Sequence, residues 1–247
     1  MINLKNINLS SIDHKIIENL SIEFESKQLI GILSDDYEFI QYMFRMISGI
    51  IPPDDGGVYL NNVDIFNAPT NEIRNLRKQI SYVFHSGGLI SNLSLLENFI
   101  LPLDYFYPDL SKVKKYEKIF SLMVEFGLEE KILNERPAVL TSSQKKLVLF
   151  VRAFLIEPSV IIYNNPFDFL NIRQKEFIEQ KILSYQKEKS VTQIFYNPID
   201  KSLYDSANIC YVISDDKSII QGSWKILIKE ESPAIRNIIR NIAGEVI

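Results

Sequence analysis

Glycine is scarce in this chain: nine residues of 247, about half the usual ~7%. An α/β protein that wraps its backbone around a phosphate spends glycines on the loop that approaches the ligand, so such a loop is not expected here. Cysteine is nearly missing. Cys210 alone excludes an internal disulfide framework and fits a reducing, cytoplasmic setting. The only histidines are His14 and His85, which with one cysteine make no His/Cys metal-ligand set. Positive charge is not in excess (27 Lys and Arg against 31 Asp and Glu), so nothing global points to nucleic acid. Long apolar runs are lacking too. The nearest, Leu147 to Ile156, is interrupted by Arg152 and falls short of the roughly 18 residues of a membrane helix. No signal peptide is read at the N-terminus, where Met1 to Ser10 alternates like a strand. Membrane contact would have to come by docking.

What is present is an ordinary packed composition, 46% apolar and 23% charged. Residues 3–9 and 20–25 alternate like half-buried strands, and Gln28 to Leu33 is a compact buried-type strand. A polar loop, Ser34 to Glu38, leads into Phe39–Ile50 with helical apolar spacing. Pro52 to Gly57 is a strong turn signal, after which Val58–Ile65 reads as one strand. Ile80–Phe84 reads as a strand; residues 94–107, 111–126, Ser143–Ile156 and Ile172–Lys187 read as helices. Val160–Tyr163, Val191–Tyr196 and Ile209–Ser214 are buried-type strands. Ser232-Pro233 opens a last helix with Ile235, Ile238, Ile239 and Ile242 on one face, for packing on its own domain or for a subunit contact. Alternating strands and helices in the second half predict a largely parallel sheet.

One constellation spans the chain. A helix ending Ile47-Ser48-Gly49 is followed by Pro-Pro-Asp-Asp-Gly-Gly-Val-Tyr-Leu, then Val83-Phe84-His85-Ser86-Gly87-Gly88-Leu89, then Leu140-Thr141-Ser142-Ser143-Gln144. Glu157-Pro158 and a strand ending Asn164-Asn165-Pro166 close the series, with Asp168-Phe169-Leu170-Asn171 behind it. In order and spacing this resembles the nucleotide-binding subunit of ABC transporters over roughly residues 1–245. The segment Val83–Leu89 and the tail Ser232 to Gly244 are most similar to the ATPase of MCE-type (Mla-like) lipid transporters. The resemblance implies an α/β, ABC-type P-loop NTPase fold: a single domain over 1–247, a mixed sheet core, a helical subdomain at about 90–155 and a C-terminal interface helix at about 232–243.

The chemistry that the resemblance implies is damaged at each step. Counting back from Gly49, the family's phosphate-loop glycines fall on Ser34, Tyr37 and Phe39, its lysine on Ile40 and its Mg²⁺-binding Ser/Thr on Gln41. The stretch Ser34–Gln41 carries Asp35, Asp36 and Glu38 and no basic residue. A carboxylate ~4 Å from a phosphate charge costs about 4 kcal/mol at an effective dielectric near 20. Each lost charged hydrogen bond removes roughly 1.5–3 kcal/mol more. The family's Walker B Asp and Glu fall on Asn164 and Asn165, amides that neither balance a metal's charge nor accept a proton. Its switch histidine falls on Asn197, its Q-loop glutamine on His85, and its adenine-stacking aromatic near Ser11 or Ile12. The signature loop Leu140, Thr141, Ser142, Ser143, Gln144 keeps Leu140, Gln144 and a hydroxyl but replaces two glycines. Thr141-Ser142-Ser143 reads equally as a helix N-cap.

The expectation is therefore a pseudo-ATPase cassette of a lipid or solute transporter, docked on a permease at the cytoplasmic face of the inner membrane and paired with an intact ATP-binding subunit. No catalytic residue, metal or cofactor of its own is expected, and any ATP and Mg²⁺ would bind weakly in a composite site with the partner. The alternatives are an unorthodox active ATPase and a regulatory homodimer that binds no nucleotide. His85 is read as a structural or Q-loop-like residue, Cys210 as buried, Trp224 as core or interface, and Lys112, Lys114, Lys115 and Lys118 as a solvated helix face. Of the aromatics at 99–107, an interface role is favoured over core packing.

Overall fold

The structure is a computed structural model that describes residues 1–198, 200–214, 218–230 and 232–243. Strands β1 (Ile2–Ser10) and β2 (Lys15–Phe24) pair antiparallel through the turn at 11–14. Then comes β3 (Leu29–Leu33), all five residues buried, and helix α1 (Tyr37–Ile47). The helix begins two residues before the expected Phe39 because Asp36 caps it. It ends at Ile47, where Gly49 (φ +69°) takes the left-handed conformation that stops a helix.

The stretch expected as a single strand from Val58 to Ile65 is instead a tight hairpin, β4 (Asp55–Leu60) and β5 (Val63–Asp64). Asn61 and Asn62 stand at φ 50° and 67°, the left-handed pair that a two-residue turn needs and that Asn tolerates. Helix α2 (Thr70–Lys78) leads to β6 (Ile80–Val83). Helices α3 (Leu95–Phe106), α4 (Lys112–Glu125) and α5 (Ser142–Leu155) start on the caps Ser94, Ser111 and Thr141. The rest alternates: β7 (Val160–Asn164), α6 (Ile172–Lys189), β8 (Thr192–Tyr196), the short α7 (Ser202–Ser206), β9 (Ile209–Ile213), β10 (Ile219–Gly222), α8 (Trp224–Leu227) and α9 (Pro233–Ala243).

Among the described residues the strands form two sheets. One is antiparallel, ordered β2-β1-β4-β5; the other is ordered β10-β9-β3-β8-β7-β6, parallel except for β10. Period-2 alternation divides the parallel strands between two cores. Ile30, Ile32, Val160 and Ile162 face the antiparallel sheet and α1, whereas Leu29, Leu33, Ile161 and Tyr163 face the helices from α3 to α6. Trp224, Ile238 and Ile239 extend the second core, so α9 packs on its own domain through those two isoleucines. The side chains of Ile235 and Ile242, and Gly244, lie outside the described residues.

The lysines of α4 are not one solvated face. Lys115 is 5% exposed and pairs with Asp104 at 2.8 Å, and Lys118 reaches Glu157 at 2.7 Å, while Lys112 and Lys114 are exposed. The aromatics of 99–107 divide: Phe99 is core, Tyr105 is 49% exposed, and Tyr107 is half-buried with its hydroxyl donating to Ile156 O at 2.8 Å.

Gly31 in β3 is required by close approach. A Cβ there would lie 2.6 Å from Tyr204 Cδ1 and 3.1 Å from Cys210 Sγ. The Tyr204 ring packs between Phe195 and Trp224, and its hydroxyl donates to Ile32 O at 2.9 Å. Gly31→Ala is expected to destabilise the fold by about 2 kcal/mol through overpacking, read as a lowered urea midpoint; an unchanged midpoint would mean the ring swings aside freely.

Candidate functional site

In open α/β sheets, ligands bind beyond the carboxyl ends of the parallel strands. Those ends here carry Ser34 after β3, Phe84 and His85 after β6, Asn164 and Asn165 at β7 and Asn197 after β8. The sheet therefore brings most of the sequence-predicted positions to one edge.

At that edge the chain does not form a wrapping loop. Only Ser34, Asp35 and Asp36 separate β3 from α1, and Tyr37, Phe39, Ile40 and Gln41 are already helical. Two of the first-turn amides are used from within. Phe39 N–H donates to the Asp36 carboxylate at 2.8 Å and Ile40 N–H to the Asp36 carbonyl at 3.2 Å. Asp36 N–H in turn donates to Ser34 Oγ at 3.2 Å. A carboxylate thus sits where the helix's positive end would attract an anion. Phe39 and Ile40 are 1% and 0% exposed and belong to the core between the two sheets.

Tyr37 projects the other way. Its ring stacks on Tyr196 at 5.9 Å, and its hydroxyl lies 3.0 Å from His85 Nδ1. Burial raises the Tyr37 phenol, with hydrogen bonds from Gln41 and Asn164 opposing. His85 Nε2 meets Asp168 Oδ2 at 2.8 Å, and Phe169 stacks on the imidazole at 5.7 Å. Phe169 holds φ +69°, a left-handed conformation that costs a bulky residue strain. Asp168 also accepts from Asn165 Nδ2 at 3.2 Å. His85 thus bridges two segments, with Nδ1 on the Tyr37 hydroxyl and Nε2 on the Asp168 carboxylate.

Asn164 Nδ2 donates to the Tyr82 hydroxyl at 3.2 Å, and burial pushes that phenol up to about 12. Asn164 Oδ1 and Asn165 Oδ1 are buried acceptors without a donor among the described residues. Asn197 is 1% exposed and turned inward, with its amide N–H on the Tyr204 hydroxyl at 3.1 Å and its Nδ2 on Asp200 O at 3.1 Å.

At α5, Thr141 is an N-cap in a reciprocal box with Gln144 (Thr141 N–H to Gln144 Oε1 3.0 Å), while Leu140 is core and Ser143 donates to Gln174 Oε1 at 2.8 Å. The cap reading is therefore realised, and Thr141 and Ser142 stay exposed. Ser11 and Ile12 lie in the turn between β1 and β2, with Ile12 99% exposed.

The residue that the sequence reading missed is Lys146. It is 1% exposed, and its ammonium donates to three carbonyls: Phe84 O at 3.0 Å, His85 O at 3.1 Å and Asn165 O at 2.9 Å. Burial pulls it down to about 8, partly opposed by the Asp168 carboxylate. Its signal was a charge opening the i, i+3, i+4, i+7 series Lys146, Leu149, Phe150, Ala153 on the buried face of α5.

These groups do not fit Mg²⁺–nucleotide well: Asp36 and Asp168 already accept hydrogen bonds, and the β7 end offers amides where the metal would take a carboxylate.

Residues 42–168, just over half the chain, match the family described as ABC transporter. The chain belongs to the ABC transporter family. Within reach of this ABC chain is the methionine import ATP-binding protein MetN of Clostridium tetani, 24% identical over 97% of this chain and 74% of its own length. MetN of Clostridioides difficile is 25% identical over 78% of this chain, which spans 60% of that protein. The dimeric ATP-binding cassette MJ0796, solved in a post-hydrolysis state bound to ADP and Pi, superposes with a TM-score of 0.81 at 22% identity, covering 90% of this chain and 98% of that one. That likeness establishes the ABC ATPase fold: a mixed sheet core with flanking helices.

Proposed function

We propose that this ABC chain is a non-hydrolysing cassette subunit of a membrane transporter, which pairs with a catalytically intact ATP-binding subunit and transmits motion instead of generating it. The observation that carries the reading is the start of α1. The Phe39 and Ile40 amides bind Asp36, the position of the family's lysine is a core isoleucine, and a tyrosine ring crosses the cleft to His85. A phosphate brought to this edge meets the carboxylates of Ser34–Gln41 with no lysine in that stretch, Lys146 being buried on three carbonyls, and Mg²⁺ meets two amides.

An apolar groove of about 570 Å³ supports a permease partner. It is walled by Ile50, Tyr82, Phe84, Ile90, Leu101 and Tyr105, several of them half-exposed. In this reading the helical region at about 90–155 faces the permease, the helix at about 232–243 serves assembly, and the chain sits at the cytoplasmic membrane face through its partners. No helix among the described residues is long and apolar enough to cross a membrane itself. Lipid cargo of the MCE type rests on the Val83–Leu89 segment. A second reading, import of a small solute, rests on the methionine-import names of the relatives.

The test is ATP titration and turnover of the purified chain with and without Mg²⁺. The expected result is no saturable binding up to millimolar ATP and phosphate release at the buffer rate. Tight binding without turnover would overturn the argument from Asp36 and Tyr37, and sustained turnover would restore the active-ATPase alternative.

A further inference from the structure

The eleven residues between β6 and α3 form a loop with two glycines at φ +75° and +79°, a segment of the kind that opens easily when no ligand holds it. Here it is held from both sides. On one side runs a side-chain relay: Tyr37 at the start of α1, His85 in the loop, and Asp168 beyond β7, joined at 3.0 and 2.8 Å. On the other side Lys146 of α5 gathers the carbonyls of Phe84, His85 and Asn165. Four segments distant in sequence are thereby pinned at one point.

We propose that Tyr37, His85, Asp168 and Lys146 form an internal clamp that holds the 84–94 loop against the ends of β3 and β7 in the place of a bound nucleotide. It rests on the reading that the cleft takes no nucleotide. Tyr37 supplies from within the protein a polar atom between the helix start and the loop, which an ATP-binding site would take from its ligand. The same loop carries Phe84 and Ile90 into the apolar groove, so the clamp also fixes the shape of that face. A partner docked there would meet one geometry whatever the ATP concentration.

Tyr37→Phe removes only the hydroxyl and keeps the ring on Tyr196. The reporter is the Ile90 amide, which donates to Asn98 Oδ1 at 2.8 Å, followed by hydrogen exchange together with the peptide 84–94. Exchange there is expected to quicken about fivefold, the factor that matches one lost hydrogen bond, with the β8 amides unchanged. Asp168→Ala should do the same, and the double variant should add less than the sum because both break one relay. Nitrogen NMR of His85 should show Nδ1 shifting in Tyr37→Phe and Nε2 in Asp168→Ala, because each variant removes that nitrogen's partner. Unchanged exchange in both single variants, or ring nitrogens that neither variant shifts, overturns the clamp. Calorimetric ATP binding to the wild type would overturn the nucleotide-free reading alone. If such binding left loop exchange unaltered while Tyr37→Phe still quickened it, the clamp would stand without that reading.

Discussion

Lys146→Met is expected to destabilise the protein by about 2–4 kcal/mol near neutral pH, and the deficit should widen as the pH rises. Methionine fills a similar volume, so the loss comes chiefly from the three carbonyls of Phe84, His85 and Asn165, which are left without their donor. The loss is less than three charged hydrogen bonds because burying the ammonium already costs energy, as its fall from 10.5 to about 8 records. The sign of the pH effect follows from that direction. Between about 8 and 10.5 the folded protein has released the Lys146 proton while the unfolded chain still holds it, so raising the pH favours the folded state. This stability is complete above the unfolded value and is lost as the pH falls through about 8; across the window it amounts to on the order of 3 kcal/mol. Methionine has no proton to exchange. Cys210, pushed up to about 12 by burial, weakens the fold above pH 9 in both proteins and cancels in the difference. Urea midpoints at pH 7.5, 9 and 10 for the two proteins check this. A gap that stays constant would mean that Lys146 keeps its proton throughout.

The sequence disclosed the sheet better than the site. Leu29–Leu33, Val160–Asn164 and Thr192–Tyr196 are buried along their whole lengths, and short continuous apolar runs announce that directly. The Asn61-Asn62 turn was hidden because asparagine reaches the left-handed region without a glycine to mark it. At the site, counting in register brought Ser34, Asn164, Asn165 and His85 to the same sheet edge but said nothing of where side chains go. Tyr37 and His85 stand 48 residues apart, and no periodicity encodes their contact. Lys146 was passed over for a different reason. A lysine in a helix is normally solvated, and only the tertiary convergence of three carbonyls makes burial tolerable. That no phosphate-wrapping loop follows β3 was legible as a shortage of glycine. The start of α1 two residues early, capped by the Asp36 carboxylate, was not.

That early helix start has the largest expected consequence for any attempt to introduce the family's phosphate-binding lysine. Placing the missing lysine at its aligned position, Ile40→Lys, is expected to cost at least ~4–5 kcal/mol and to leave much of the protein unfolded, without creating a phosphate site. Ile40 is 0% exposed and lies in the core shared by α1, the antiparallel sheet and one face of the parallel sheet, among Ile32, Phe44 and Ile162. It occupies the fourth helical position after Asp36, so its Cβ is fixed by the helix and its side chain by the core. A lysine there either buries an unpaired ammonium or loses its proton, its pKa falling by several units, and both options consume stability that a domain of this size holds in only ~5–15 kcal/mol. Ile40→Leu is the control, expected to cost under ~1.5 kcal/mol because it keeps volume and polarity. Urea unfolding of the three proteins separates the cases. If the lysine variant folds with near wild-type stability, α1 must be able to unwind its first turn and turn residue 40 toward the strand ends, and the proposed nucleotide-free cleft would be a reversible state. If it unfolds as expected, recovering a phosphate loop requires rebuilding Ser34 to Gln41 as a unit, because Ser34 and Asp36 serve the cap, Phe39 and Ile40 the core, and Gln41 the Tyr37 hydroxyl.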